Sequence, residues 1–94
     1  MTLSSKEKKE LKAQAHHLKP VIRMGQHGLT DGVIAETDSA LTIHELIKVH
    51  IQSGERDERL GDAQNLASST KAELVHSIGK TYILYRKNPT PKQA

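Results

Sequence analysis

The chain contains no cysteine. That excludes disulfides, thiolate metal centres and thiol nucleophiles together, and it suits a reducing cytoplasm, the location expected for this protein. Phenylalanine and tryptophan are absent as well, and the two tyrosines, Tyr82 and Tyr85, have opposite parity along one apolar stretch. Residues of opposite parity point to opposite faces of a strand, so the pair cannot form a base-stacking platform of the RRM kind. Packing within the core is their expected role. No apolar run approaches the ~18 residues of a membrane span. The N-terminus passes from Met1-Thr2-Leu3-Ser4-Ser5 into lysines with no apolar signal core, so neither membrane insertion nor secretion is expected.

What the chain does have is charge, unevenly placed. The formal net charge is +3. Residues 1–23 carry six Lys/Arg against two Glu, and residues 79–94 carry four Lys/Arg and no acid. The middle, residues 24–78, carries four Lys/Arg against nine Asp/Glu. A fold that brings the ends together gives one positive face, and such asymmetry favours a polyanionic partner. Ninety-four residues make one domain with one modest core. The expected domain covers residues 1–87, followed by a polar, disordered tail, 88–94, that holds two of the three prolines.

Local signals order the rest. Ser4 followed by Glu7 fits a capping box, and Leu11, Ala15 and Leu18 then form one helical stripe opposite a basic side. Pro20 is expected to stop this helix. Val21 to Met24 reads as a short strand. Thr30 is a good N-cap with Asp31 in the first turn, and Leu29, Val33, Thr37, Ala40 and Leu41 mark a helical face. Glu45 to Ile51 alternates, with Ile47, Val49 and Ile51 on one face and Lys48 and His50 on the other. A third helix is expected over about Asp57 to Ser69, burying Leu60, Ala63 and Leu66 or Ala67. Leu74 to Ile78, the pair Gly79-Lys80, and Thr81 to Arg86 read as a hairpin with a two-residue turn. Its last strand is apolar on both faces, as a central strand is. The order is α-β-α-β-α-β-β. Strands separated by helices run parallel through right-handed crossovers, and the hairpin adds an antiparallel strand. The fold class is therefore α/β (α+β), a mixed four-stranded sheet with helices packed on it.

Most catalytic and metal chemistry fails on these residues. His44-Glu45-Leu46-Ile47-Lys48 approaches H-E-x-x-H, but Lys48 is a cation where the second ligand belongs, and the segment alternates like a strand. His16 and His17 are adjacent and diverge on a helix. No G-x-x-x-x-G-K-[ST] motif exists, and no serine lies in a G-x-S-x-G elbow. No metal, cofactor, small-molecule substrate or enzymatic activity is expected.

The sharpest signal is Gly25-Gln26-His27-Gly28, set between a strand and a helix. Glycine has no Cβ to hold a partner away and tolerates positive φ. The helix that follows offers free amides and a positive dipole end, which suit phosphate. A KH domain clamps nucleotides with such a loop, but joins two helices by it.

With these residues in view, the chain resembles the YhbY-like or CRM domain, named for chloroplast RNA splicing and ribosome maturation. The matching pieces are Leu18-Lys19-Pro20-Val21, Gly25-Gln26-His27-Gly28-Leu29-Thr30, His44 to Val49, and Gly79-Lys80-Thr81 through Leu84-Tyr85-Arg86, in the family's order. The chain looks like the stand-alone bacterial form. The resemblance implies a fold similar to the C-terminal domain of translation initiation factor three, with sheet order 1-2-4-3 and the last strand antiparallel. It implies RNA as partner, in particular ribosomal RNA of the precursor large subunit, bound at the glycine loop. Ala67-Ser68-Ser69-Thr70-Lys71 departs from the family's usual end of helix three. The expected RNA-binding residues are Gly25, Gln26, His27, Gly28, Leu29 and Thr30, flanked by Lys19 and Arg23. Lys6, Lys8, Lys9 and Lys12, with Lys48, Lys80, Arg86 and Lys87, are expected to supply phosphate contacts. A monomer is expected. The competing readings are a protein-interaction module that docks through the acidic middle, and a small phosphotransfer or nucleotide-binding enzyme.

Overall fold

The helices begin where side chains satisfy first-turn amides. Ser4 Oγ accepts from the Glu7 amide at 3.1 Å, and Glu7 Oε1 accepts from the Ser4 amide at 3.0 Å. Thr30 Oγ1 accepts from the Val33 amide at 3.1 Å. Glu58 Oε1 accepts from the Glu55 amide at 2.8 Å. The computed structural model describes residues 3–25, 28–52 and 54–87. The elements are α1 (Ser5–Ala15), β1 (Ile22–Met24), α2 (Asp31–His44), β2 (Leu46–Ile51), α3 (Arg56–Ser69), β3 (Glu73–Ile78) and β4 (Thr81–Tyr85). Residues 88–94, the expected tail, lie outside the described residues.

The sheet order is β1-β2-β4-β3. β1 pairs parallel with β2, and β4 pairs antiparallel with both β2 and β3. β4 is the interior strand that its two-faced sequence implies: Tyr82, Ile83 and Leu84 are all buried. α2 and α3 cover one face, where Ile22, Met24, Ile47, Val49, Ile51, Tyr82 and Leu84 meet Leu41, Ala63, Leu66 and Ala67. α1 covers part of the other, where Ala15 and Leu3 meet Val75 and Ile83, with Leu11, Leu46 and Tyr85 around them. Each large aliphatic buried this way contributes about 1.5–3 kcal/mol.

The structure corrects four local expectations. α1 ends at Ala15, well before Pro20. The His16 amide is shared between Lys12 O and Ala13 O, and Leu18 N bonds Ala15 O, so the chain tightens into a turn. Leu18 therefore leaves the stripe and is 38% exposed. Leu60 stays outside the core at 37% exposure, because α3 turns Ala63, Leu66 and Ala67 inward. Glu45 is not in a strand. It caps α2 at φ 63°, a single-residue reversal into β2. The pairing of β3 with β4 shifts register between Leu74 and His76. Val75 is the extra residue, and this bulge lets Val75 join Ile83 under α1 while His76 pairs with Ile83.

Arg86, just past β4, ties the layers together. Its Nη1 donates to Asp38 Oδ1 at 2.5 Å and to Thr70 O at 2.8 Å. Its Nη2 donates to Asp38 O at 3.1 Å and to Thr42 Oγ1 at 2.8 Å. One planar fork thus joins α2, the end of α3 and β4. A lysine keeps the charge but cannot make that bridge. Arg86→Lys is expected to cost about 2 kcal/mol in urea unfolding; unchanged stability would show the bridge to be idle. Gly61 lies inside α3, and a Cβ built there meets nothing within 4 Å. Gly61→Ala is expected to gain about 0.5–1 kcal/mol in the same measurement.

Candidate nucleic-acid interface

The glycine loop begins where β1 ends. The Gly28 amide donates to Gly25 O at 3.0 Å, and Gly28 sits at φ 68°. Gln26 and His27 lie outside the described residues. Leu29 is half-buried against the main core and anchors the loop's far side. Thr30 spends its hydroxyl on capping α2. The Asp31 and Gly32 amides precede the first intrahelical bond, Ile34 N to Thr30 O. They are therefore the first-turn donors left for a ligand.

Because β1 and β2 are parallel, they end together, with Met24 opposite Ile51. Gln52 N donates to Met24 O at 3.0 Å, and Ile51 N donates to Lys80 O at 2.9 Å. The glycine loop, the turn after β2 and the Gly79-Lys80 turn thus meet at one end of the sheet, where α2 and α3 also start. Arg23 and Lys80 are exposed there. Arg23 pairs with His50 in register, and both lie with Lys48 on the sheet face that carries α1.

The other cations predicted from the sequence are elsewhere. Lys19 precedes β1 and Lys87 follows β4, so both belong to the opposite end of the sheet. Lys48 Nζ donates to Leu18 O at 2.9 Å, holding the connector between α1 and β1. Arg86 is 18% exposed and engaged in the bridge described above. Lys6, Lys8, Lys9 and Lys12 are exposed on α1, and Lys9 and Lys12 border a depression with Ala13 and His16. The fold therefore splits the set into a loop-end group, an α1 group and the opposite-end pair Lys19 and Lys87, while Lys48 and Arg86 hold the fold.

Three charged residues at the loop end escape a reading of segments. Asp62 on α3 places Oδ2 3.9 Å from where a Cβ on Gly28 would sit. Arg56 and Arg59, buried in the statistics of an acidic middle region, line a cavity with Ser77, Gly79 and Tyr82. Their three-residue spacing on one helix face was the available signal. Among the described residues there is no group of three or more His, Cys, Asp or Glu able to hold a metal ion. Nor is any described helix long and apolar enough to cross a membrane.

Fold and loop together define a small α+β domain of one class. The chain belongs to the CRS1/YhbY (CRM) domain family, whose sequence model matches residues 3–86. It is 46% identical over 93 residues to a probable RNA-binding protein of Pseudomonas aeruginosa, covering 99% of this chain and 89% of that protein. It is 34% identical over 91 residues to a probable RNA-binding protein of Bacillus subtilis, covering 97% of this chain and 95% of that one. Among solved structures, it is similar to a Staphylococcus aureus hypothetical protein proposed to bind RNA. The TM-score is 0.84 at 33% identity, covering 97% of this chain and 95% of that chain. Both of these relatives are named as probable RNA-binding proteins.

His76 reports on the α1 side. Burial, and then the charge of Lys12, hold its pKa below the ordinary 6.5. Below that value the unfolded chain takes up a proton that the folded chain resists, so stability falls with pH until the folded pKa is passed. Between about pH 7.5 and 5, urea midpoints are expected to fall less for His76→Gln than for the parent protein. Parallel pH profiles for the two would remove His76 from that account.

Proposed function

We propose that this chain is an RNA-binding factor in assembly of the large ribosomal subunit, with ribosomal RNA of the precursor particle as its partner. The observation that carries the reading is the glycine loop joined directly to the start of α2, with Arg23 and Lys80 at the same end of the sheet, in a chain of the CRM family. In this reading Gly25 and Gly28 let the phosphate backbone approach. The α2 amides and flanking cations bind phosphate, and Gln26 and His27 reach sugar or base. The lysines of α1 engage a more distant part of the same RNA.

A second reading has a specific observation behind it. Leu18, Val21 and Ile43 are 38%, 51% and 74% exposed around the edge strand β1. They border neighbouring depressions of about 430 and 460 Å³. Such a patch suits docking on a ribosomal protein.

The test uses Gly25, because a side chain at Gly28 would be strained by its positive φ whatever it did to RNA. A Cβ built on Gly25 meets nothing within 4 Å, so Gly25→Asp adds a negative charge to an intact fold. It is expected to weaken binding of single-stranded ribosomal RNA fragments by about tenfold or more in filter binding. The parent protein's affinity should fall with salt at a slope of about −0.7 per phosphate contacted. Equal affinity for the variant would remove the loop's role. A flat salt profile, with co-sedimentation on ribosomal particles retained, would favour protein docking.

A further inference from the structure

The proposed RNA site does not use the cavity beside the start of α3. This cavity of about 380 Å³ lies between the first turns of α3 and the β3–β4 turn. Arg56, Asp57, Arg59, Leu60, Ser77, Gly79 and Tyr82 line it. Three features give it a chemical character. Arg56 and Arg59, three apart on one helix, place two guanidinium groups on one wall. Arg59 is held in place: Nη1 donates to Gly54 O at 2.6 Å, and Nε is buried without a partner. Its Nη2 makes no hydrogen bond to any described residue. Ser77 supplies a hydroxyl from the opposite wall. There Gly79, at φ 59°, leaves open space where a Cβ would be. Asp57 is the one carboxylate on the lining, and no ion pair joins it to either arginine among the described residues.

We propose that this cavity is a phosphate site, and that its occupant is an internucleotide phosphate of the RNA strand held at the glycine loop. This rests on the RNA reading above. The two sites border the same helix. Asp62 faces Gly28, while Arg59, three residues earlier, faces Gly54 and the cavity. The glycine loop follows β1 and the Gly79 turn precedes β4, two strands away in the sheet, so the separation is about two strand spacings, ~10 Å, which a few nucleotides span. Charge steers the strand the same way. The Asp62 carboxylate disfavours a phosphate directly beside Gly28 on α3, and the two guanidiniums attract one toward the first turns of the helix. Arginine forks match phosphate oxygens in pairs, and a pre-positioned Arg59 loses less freedom on binding. Leu60 and the buried ring of Tyr82 give the cavity an apolar floor against which ribose can rest.

The test compares Arg56→Gln, which removes a group with no hydrogen bond among the described residues, with Arg56→Gln/Arg59→Gln. Arg59→Lys serves as the charge-keeping control for folding. With a single-stranded RNA oligonucleotide, the double variant is expected to lose affinity severalfold. Its salt slope should be shallower by about 0.7, the loss of one phosphate contact. Arg56→Gln alone should weaken binding less and change the slope by less, in the same direction. In a parallel NMR titration of the parent protein with inorganic phosphate and with a nucleoside monophosphate, the Arg59 Nε–H and Gly79 amide signals should move. Those signals should move equally in Gly25→Asp, whose RNA affinity falls. If the double variant keeps its fold, its RNA affinity and its salt slope, the subsite is overturned. If the parent protein binds no RNA yet phosphate moves the Arg59 and Gly79 signals, the RNA reading fails and the cavity stands as a site for a free phosphate or nucleotide. If neither RNA binding nor a phosphate response is found, both readings fall.

Discussion

The pairing of β2 with β4 governs the rest of this molecule. Leu46 faces Tyr85 and His50 faces Thr81 along an antiparallel ladder at the middle of the sheet. Because β4 is interior, its side chains are buried on both faces and bind the α2–α3 layer to the α1 layer. Because β1 is parallel to β2 while β4 is antiparallel, the ends of β1 and β2 and the start of β4 fall at one edge. The glycine loop, the lead into α3 and the Gly79-Lys80 turn are neighbours for that reason alone. A one-residue slip in this ladder would turn Lys48 and His50 into the main core, so the alternation of β2 holds the register strongly.

Charge is reorganised by the same constraint. Along the sequence, the basic residues cluster at the two ends and the middle is acidic. In space, Arg86 is taken up by Asp38, Thr42 and Thr70, and Lys48 by Leu18 O, so two of the expected phosphate ligands serve the fold. The acidic middle returns Arg56 and Arg59 to the loop end, together with Asp62. A count by segment therefore indicated a polyanionic partner without finding which cations cluster.

The features legible in the sequence were those set within one turn of helix or one strand. The Ser4–Glu7 box, the Thr30 cap, the alternation of β2 and the two-faced β4 need only neighbours a few residues away, and all are present. The features misjudged or not read at all depend on distant partners. α1 stops at Ala15 because the connector is shaped by carbonyls of its last turn and by Lys48, thirty residues on. Leu3 belongs to the second core only because α1 lies on β3 and β4. The bulge at Val75 follows from the need to bury Val75 with Ile83 under that helix, and no local pattern announces it.

By itself the sequence determined the element order, the mixed sheet, a strand-to-helix glycine loop and a surface rich in basic charge, because periodicity, caps and glycine placement act locally. Only the tertiary structure decided which residues share a surface. Lys19 is close to Gly25 in sequence, yet β1 carries them to opposite ends of the sheet. Gly79 is far from Gly25 in sequence, yet the parallel and antiparallel pairings of β2 bring both turns to the same end. Direction of pairing, set by burial on both faces of β2 and β4, places them there.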